Sequence, residues 1–522
     1  MTEKELNTEN RYRNSSILVS CIFRLLSKIV RLNGQTVFFV LYCEKNERNG
    51  RENTVKRKRL SWDLIPVIFA LAWPTMLEQL LQTAVQYADT FMVGSLGTAA
   101  TAAVGSTTTV NWLVGSTIYS LGIGFLAYIS QAIGAGEKNR AAHASAQAVL
   151  CTVVLGVFST AVTLAISPFV PVWMNTDPAV CELAGRYFFI LYAPMLFRTA
   201  SMIFGTCLRA AGDTKTPMRV SVLVNALNVL LNFLLIYPSR EVHIFSASFI
   251  LPGADMGVIG AGLASAVSFT VGGVLITAAL FRHPVISPKG YGFKPDKTVL
   301  RPCLKVALPN MLQRFFTSLG YVVFAGMINS LGSSATAAHT IANTVESAFY
   351  IPGYGMQTAA ATLAGNCIGA KDTVKLKNMS RMIQLSEIAL MIVSGGLLFA
   401  FAPQLVSLFS KDAQVIALCS TVLRMVALSE PFYGVSIITE GMLQGAGKTT
   451  MPFVFNIVSM WGVRIVGTFI CVTCLHLGLE AAWACMIGNN MLLLVLFRVY
   501  YTRKFLPSQM NASPGDDRAE AS

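Results

Sequence analysis

The sequence predicts an all-α polytopic membrane protein. It has twelve transmembrane helices in two six-helix bundles, related by a pseudo-two-fold axis along the membrane normal. Three observations predict this. Of 522 residues, 54 % are hydrophobic and only 13 % charged, whereas a soluble domain carries roughly 25 % charge. Apolar stretches of about 20 residues recur along the chain, each long enough as a helix to cross a ~30 Å hydrocarbon core. The second half repeats the first at a fixed spacing. Mean hydropathy is +0.57. A disordered chain, a collagen and a soluble enzyme are excluded.

Residues 1–63 form a basic extension without the small-residue cleavage site of a signal peptide. Within it, Ser15 to Leu32 is amphipathic: Arg24, Lys28 and Arg31 share one helical face among Ile22, Phe23, Leu25, Leu26, Ile29 and Val30. Such a segment suits the membrane surface. An extension unnecessary to the core is the equal alternative. Apolar spans then follow at 64–95, 101–132, 142–166, 180–206, 217–237 and 257–281. After a basic linker at 282–301 come 302–328, 336–366, 379–402, 414–443, 452–474 and 478–500, and a polar tail closes the chain. The expected units are residues 64–281, residues 302–505 and the tail 506–522.

The distribution of positive charge orients these spans. Of 40 Lys and Arg, 33 fall in segments on the N-terminal side, and only Arg240 and Lys411 fall in loops opposite. Arg186, Arg198, Arg314, Arg424 and Arg464 lie within spans. Cytoplasmic loops carry the Lys/Arg excess, so both termini are expected in the cytoplasm of a cell with this chain in its plasma (inner) membrane. The net charge of +14 then needs no nucleic acid partner.

The repeat is read residue by residue. Ala72-Trp73-Pro74-Thr75-Met76-Leu77 matches Ala307-Leu308-Pro309-Asn310-Met311-Leu312, at an offset of 235. That offset carries Met92, Ser95, Leu96 and Gly97 onto Met327, Ser330, Leu331 and Gly332, and Ile133-Gly134-Ala135 onto Ile368-Gly369-Ala370. It also carries Leu208, Ala211, Gly212, Thr214 and Pro217 onto Leu443, Ala446, Gly447, Thr449 and Pro452. Six spans per copy leave both copies in the same orientation. Internal repeats of this kind are typical of secondary transporters that rock two bundles around a central site.

Motifs of other chemistries are absent or fail. Leu443-Gln444-Gly445-Ala446-Gly447-Lys448-Thr449 imitates a phosphate-binding loop, but GxxxxGK[ST] requires a glycine at Met442. It reads as a duplicated turn ending a helix. Cys471 and Cys474 form a lone CxxC on a membrane span, and the five His lack zinc spacing. No HExxH or GxSxG occurs, so no enzyme, metal or cofactor is expected.

The turns and the repeat together resemble the multidrug and toxic compound extrusion (MATE) family. The matching elements are Pro74…Ala88-Asp89-Thr90…Gly94…Leu96-Gly97, Gln131-Ala132-Ile133-Gly134-Ala135-Gly136, Leu208-Arg209-Ala210-Ala211-Gly212-Asp213-Thr214-Lys215-Thr216-Pro217 and Asn228-Val229-Leu230-Leu231-Asn232. The second half adds Gly365-Asn366-Cys367-Ile368-Gly369-Ala370 and Gly441-Met442-Leu443-Gln444-Gly445-Ala446-Gly447. The likeness spans about 62–505, and its specificity lies in the order and spacing of these elements. It implies efflux of amphipathic or cationic organic compounds in exchange for H⁺ or Na⁺, by a monomer whose other partners are membrane lipids. A lipid or lipid-linked oligosaccharide flippase of the wider superfamily is the alternative.

Polar groups inside spans are the candidate site, since a mid-membrane carboxylate costs several kcal/mol unless paired, hydrated or protonated. Asp89 is the expected ion-coupling residue, as the resemblance implies. A structural Asp bonded near a helix end is the alternative reading. Glu78, Gln82 and Asp89 share one helical face with Gln86 nearby, a polar stripe suited to a wet cavity. Asn228 and Asn232 stack at a four-residue spacing, and Ser265 matches a hydroxyl position of the same pocket in the family. Some relatives carry Asp where this chain has Asn232, so one titrating carboxylate fewer is expected. Thr317 and Tyr433 stand where some members carry second-half acids, which argues against a cation site of that type. Glu346 and Tyr350 are expected at the substrate cavity, with pairing of Glu346 to Arg314 or Arg424 as an equal alternative. Glu430 precedes Pro431, where a helix break is expected, and Glu440 also lies in a span.

Overall fold

The computed structural model describes residues 64–174, 176–244 and 247–511. The amphipathic segment 15–32 and most of the polar tail lie outside the described residues. The first half comprises α1 (Leu64–Gly94), α2 (Thr98–Gly134), α3 (Lys138–Ile166), α4 (Pro178–Tyr192), α5 (Met195–Ala210), α6 (Lys215–Leu235) and α7 (Gly257–Arg282). The second comprises α8 (Lys297–Asn329), α9 (Ser333–Gly369), α10 (Thr373–Ser407), α11 (Ala413–Ala427), α12 (Glu430–Gly445), α13 (Thr450–Cys474) and α14 (Leu479–Asn511).

Among the described residues nine helices are long and apolar enough to cross a membrane. Two bent pairs raise the number to eleven: α4 with α5, at 49°, and α11 with α12, at 55°. The sequence reading took each pair as one span, with a break expected at Pro431 and none at Pro194. Their breaks fall at Pro194 and just before Pro431, where proline lacks the N–H and crowds the preceding turn. Helix α9 has 37 residues, ample length, but polar residues such as Asn343, Glu346 and Gln357 dilute its apolar character. In α13 the turns Val458–Ile465 and Ile470–Cys474 widen to π geometry, which bulges a helix and is frequent at functional sites.

One element was not foreseen. Strands β1 (Pro238–Ile244) and β2 (Ala247–Ala254) form an antiparallel hairpin between α6 and α7. The apolar–polar alternation of Glu241-Val242-His243-Ile244 carries its signal.

The helix ends reproduce the repeat. Gly97 and Gly332 precede α2 and α9 with φ of 109° and 103°. Gly212 and Gly447 close α5 and α12 with φ of 85° and 71°. Gly136 (φ 78°) corresponds to Lys371 (φ 53°). Each pair is 235 positions apart, and each requires the left-handed backbone that glycine adopts without penalty. The linker into α8 is anchored at Asp296, which accepts from the Thr298 backbone N–H at 2.8 Å and from its hydroxyl at 2.7 Å. These bonds hold the Asp296 carboxyl below the usual carboxylate range.

The halves meet along α1, α2, α8 and α9. Thr75 Oγ1 donates to the Gly355 carbonyl at 2.8 Å, and Tyr87 OH to the Thr344 carbonyl at 3.1 Å. At the end holding the Gly134 and Gly369 turns, the backbones nearly touch. A β-carbon at Gly134 would collide with the Asn366 carbonyl oxygen, and one at Gly369 with the Gln131 carbonyl oxygen. Gln131 Nε2 also donates to the Gly445 carbonyl at 2.8 Å. Ile68 and Ala72 of α1 pack with Met356, Ala360 and Ile383 of the second half.

Candidate functional site in the first half

Asp89 sits in the last third of α1, half-buried. Asn232 Nδ2 donates to its Oδ1 at 2.5 Å and lies 3.2 Å from Asn228 Oδ1. Asn228 Nδ2 in turn donates to Ser265 Oγ at 3.2 Å. Asn228, Asn232 and Ser265 are buried. The chain of contacts therefore joins α1, α6 and α7, and all four residues named as ion-coupling candidates fall in it. The local cause is simple. A four-residue spacing aligns the two Asn on α6, and Gly260 lets α7 approach α6, since a β-carbon there would lie 2.5 Å from the Leu235 carbonyl oxygen. Asn232 Oδ1 is buried and accepts no hydrogen bond. An acceptor oxygen is thus left open beside the Asp89 carboxylate, an arrangement that can receive a proton-bearing or cationic ligand.

The polar stripe of α1 divides. Gln82 and Gln86 are exposed. Glu78 does not stand free: it is ion-paired to Arg209 at 3.0 Å, with side chains 12 % and 11 % exposed. Arg209 Nη2 also donates to Thr206 Oγ1, and its carbonyl accepts from Thr362 Oγ1 of the second half. The expected contribution of Glu78 to an open cavity is therefore corrected to a tie between α1 and α5, because a buried carboxylate beside a guanidinium is best satisfied by it.

The 235-residue relation carries Glu78 to Gln313, Arg209 to Gln444 and Gly205 to Glu440. In the second half Glu440 Oε1 accepts from Gln313 Nε2 at 2.9 Å and Gln444 Nε2 at 3.1 Å. Both halves thus place a polar tie at the same level, ionic in one and amide–carboxylate in the other.

Glu346 is 7 % exposed on α9. Neither expected arginine pairs with it: Arg314 donates to Asn310 Oδ1 and lies over the Tyr119 ring, while Arg424 donates to the Phe399 carbonyl. Tyr350 is half-buried, edge-on to Tyr354 and Tyr433. The first half also contains a group that sequence reading missed. Arg198 Nη1 and Tyr192 OH both donate to Asn111 Oδ1, at 2.8 and 2.9 Å. The intramembrane Arg198 was its one signal. Glu387, fully buried on α10, was missed as well, although a lone carboxylate in an apolar span is visible in the sequence. Cys471 and Cys485 approach to 3.8 Å between sulfurs as free thiols. Among the described residues no three His, Cys, Asp or Glu converge to hold a metal ion.

The MatE family pattern matches residues 74–234 and 309–470, once in each half and over more than half of the chain. The chain belongs to the MatE family. It is 28 % identical over 422 residues to the "Probable multidrug resistance protein NorM" of Thermotoga maritima, covering 81 % of this chain and 89 % of that protein. It is 27 % identical over 407 residues to the "Probable multidrug resistance protein YoeA" of Bacillus subtilis, covering 76 % and 84 %. In fold it is similar to a structure described as the outward-facing conformation of a multidrug resistance MATE family transporter. The TM-score is 0.79 at 24 % identity, with 88 % of this chain and all of that one covered. This MatE chain is accordingly a multi-pass membrane protein of a multidrug efflux transporter family.

Proposed function

We propose that this MatE chain exports amphipathic or cationic organic compounds by alternating access, as an antiporter driven by H⁺ or Na⁺. It works as a monomer in the plasma (inner) membrane, with both termini in the cytoplasm. Twelve spans are counted when each bent pair is one span and α9 is the eighth. Residues 64–281 and 302–505 then form two like-oriented bundles that move about the cleft between them.

The observation that carries the reading is the contact chain from Asp89 through Asn232 and Asn228 to Ser265. A carboxylate within an apolar span is tied there to two other helices, beside an acceptor oxygen with no partner. Loading an ion on Asp89 changes the charge at this junction, so it favours one arrangement of α1, α6 and α7 over another. A ligand shifts a conformational balance only by binding the two states unequally. Substrate enters from the cytoplasm, the bundles rock outward, and ion uptake at Asp89 favours its release. Return of the ion resets the cycle. Gln82, Gln86, Tyr350 and Glu346 remain candidates for the substrate path.

The test is transport in proteoliposomes with pH and Na⁺ gradients imposed separately. Drug counterflow driven by either gradient is expected. No counterflow under both overturns the antiporter reading, and lipid scrambling in its place favours the flippase.

A further inference from the structure

Three carboxyl groups of the second half are buried within the helical bundle. Glu346 on α9, Glu430 on α12 and Glu387 on α10 are 7 %, 1 % and 0 % exposed. Glu387 is the anomaly, because both its carboxylate oxygens are buried and neither has a hydrogen-bond partner. Glu430 Oε2 is likewise buried and unpartnered. A buried charge is retained only with a partner, and among the described residues neither group forms an ion pair.

The surroundings of Glu387 are built to admit its head group. A β-carbon at Gly353 of α9 would lie 2.5 Å from Glu387 Oε1, and one at Gly434 of α12 would lie 3.2 Å away. Two glycines on two neighbouring helices thus leave the space the carboxyl occupies. Gly434 follows Glu430 by one helical turn, about 6 Å along the axis. On α10, Gly395 approaches the Glu430 Cβ from two turns beyond Glu387. The two carboxyls therefore lie at successive levels between the same helices, and Glu430 has the carboxyl groups of both Glu346 and Glu387 as neighbours.

We infer that Glu387 holds a proton within the second half and exchanges it with Glu430 during transport, forming a proton site separate from Asp89. This rests on the antiporter reading above. A proton fits better than a metal ion, because these acids do not converge into a metal-holding cluster. The Gly353 and Gly434 positions offer room rather than a ring of oxygen ligands. The proton enters from outer water, passes between carboxyls without redox change and leaves to cytoplasmic water.

The groups facing this site from the packed helices are Glu346, Tyr350 and Tyr354 on α9, and Glu430 and Tyr433 on α12. Two of the three nearby cations are hydrogen-bonded elsewhere. Arg424 of α11 donates to the Phe399 carbonyl and Arg498 of α14 to Gln384 Oε1; Arg464 of α13 lies over Tyr321 and Phe324 with its Nε unpartnered, and is the cation that acts on Glu346.

Infrared spectroscopy of the full-length protein at neutral pH, with ¹³C-carboxyl-labelled Glu, reads protonation directly. A protonated-acid carbonyl band that shifts with the label, disappears in Glu387→Gln and persists in Asp89→Asn is expected. Absence of a protonated Glu band in the wild type overturns the inference without any variant. In proteoliposomes, parallel recording of proton and drug flux should give one proton fewer per drug molecule in Glu387→Gln. Glu430→Gln should slow proton exchange while Glu387 keeps its band. An unchanged proton-to-drug ratio in Glu387→Gln, or wild-type exchange driven by Na⁺ alone, overturns the transport role. The antiporter reading itself fails only if neither gradient drives the wild type.

Discussion

At the scale of single residues, the first half concentrates its chemistry on Asp89. Replacing it by Asn keeps the shape and removes the charge, so Asp89→Asn is expected to abolish gradient-driven drug transport while the protein still inserts. Undiminished counterflow at equal protein level removes Asp89 from the mechanism. The Glu78–Arg209 pair makes a different prediction. Breaking a buried pair leaves an uncompensated charge and costs about 3–5 kcal/mol. Glu78→Gln should therefore lower thermal stability sharply. Replacing Glu78 and Arg209 together by Gln, the residue type found at the equivalent positions Gln313 and Gln444, removes both charges at once and should restore most of it. Thermal unfolding of the three proteins in one detergent decides this, and equal losses in the single and double variants contradict it.

Much of the residue-scale site was legible because its signals are local. Asn228 and Asn232 declare a shared face by their spacing, and a carboxylate stands out against an apolar span. The union of Asp89 with Asn232 and Ser265 was implied by family likeness, and its hydrogen bonds became visible only in three dimensions. Glu78 shows the converse. Its helical face was readable, but the partner that claims it lies 131 positions away, beyond any local pattern. Glu346 shows the same limit, since packing sent Arg314 to a Tyr119 ring in the opposite half.

At the scale of elements, the unforeseen features are the bend at Pro194, the hairpin and the widened turns of α13. Pro194 and Pro431 break spans that hydropathy alone joins, because hydropathy reports burial and is silent on direction. The crossing of α2 and α9 yields a prediction at this scale. Gly134 and Gly369 bring two backbones too close for any side chain, so Gly134→Leu should hold apart these helix ends, which the proposed topology puts on the cytoplasmic side. Cysteines placed on the inner cleft wall should then react faster with a membrane-impermeant thiol reagent supplied from the cytoplasm, and drug export should fall. Gly94, whose β-carbon position meets nothing within 4 Å, is the control: Gly94→Ala should leave the labelling rate unchanged.

At the scale of the whole molecule, function rests on two halves bound tightly at one end. Ties such as Thr362 to the Arg209 carbonyl and Gln131 to the Gly445 carbonyl must part if that end opens. Removing one neutral hydrogen bond costs about 1 kcal/mol. Gln131→Ala is therefore expected to shift the conformational balance roughly five-fold towards inner opening, seen as increased cytoplasmic labelling. Labelling equal to wild type excludes Gln131 from the latch.

Lys371 occupies the left-handed position that its counterpart Gly136 fills with glycine. A lysine there bears a steric burden of about 1–2 kcal/mol that glycine avoids. A protein built of two like copies carries its own internal reference: a turn can differ in one copy while its twin shows the unstrained solution beside it.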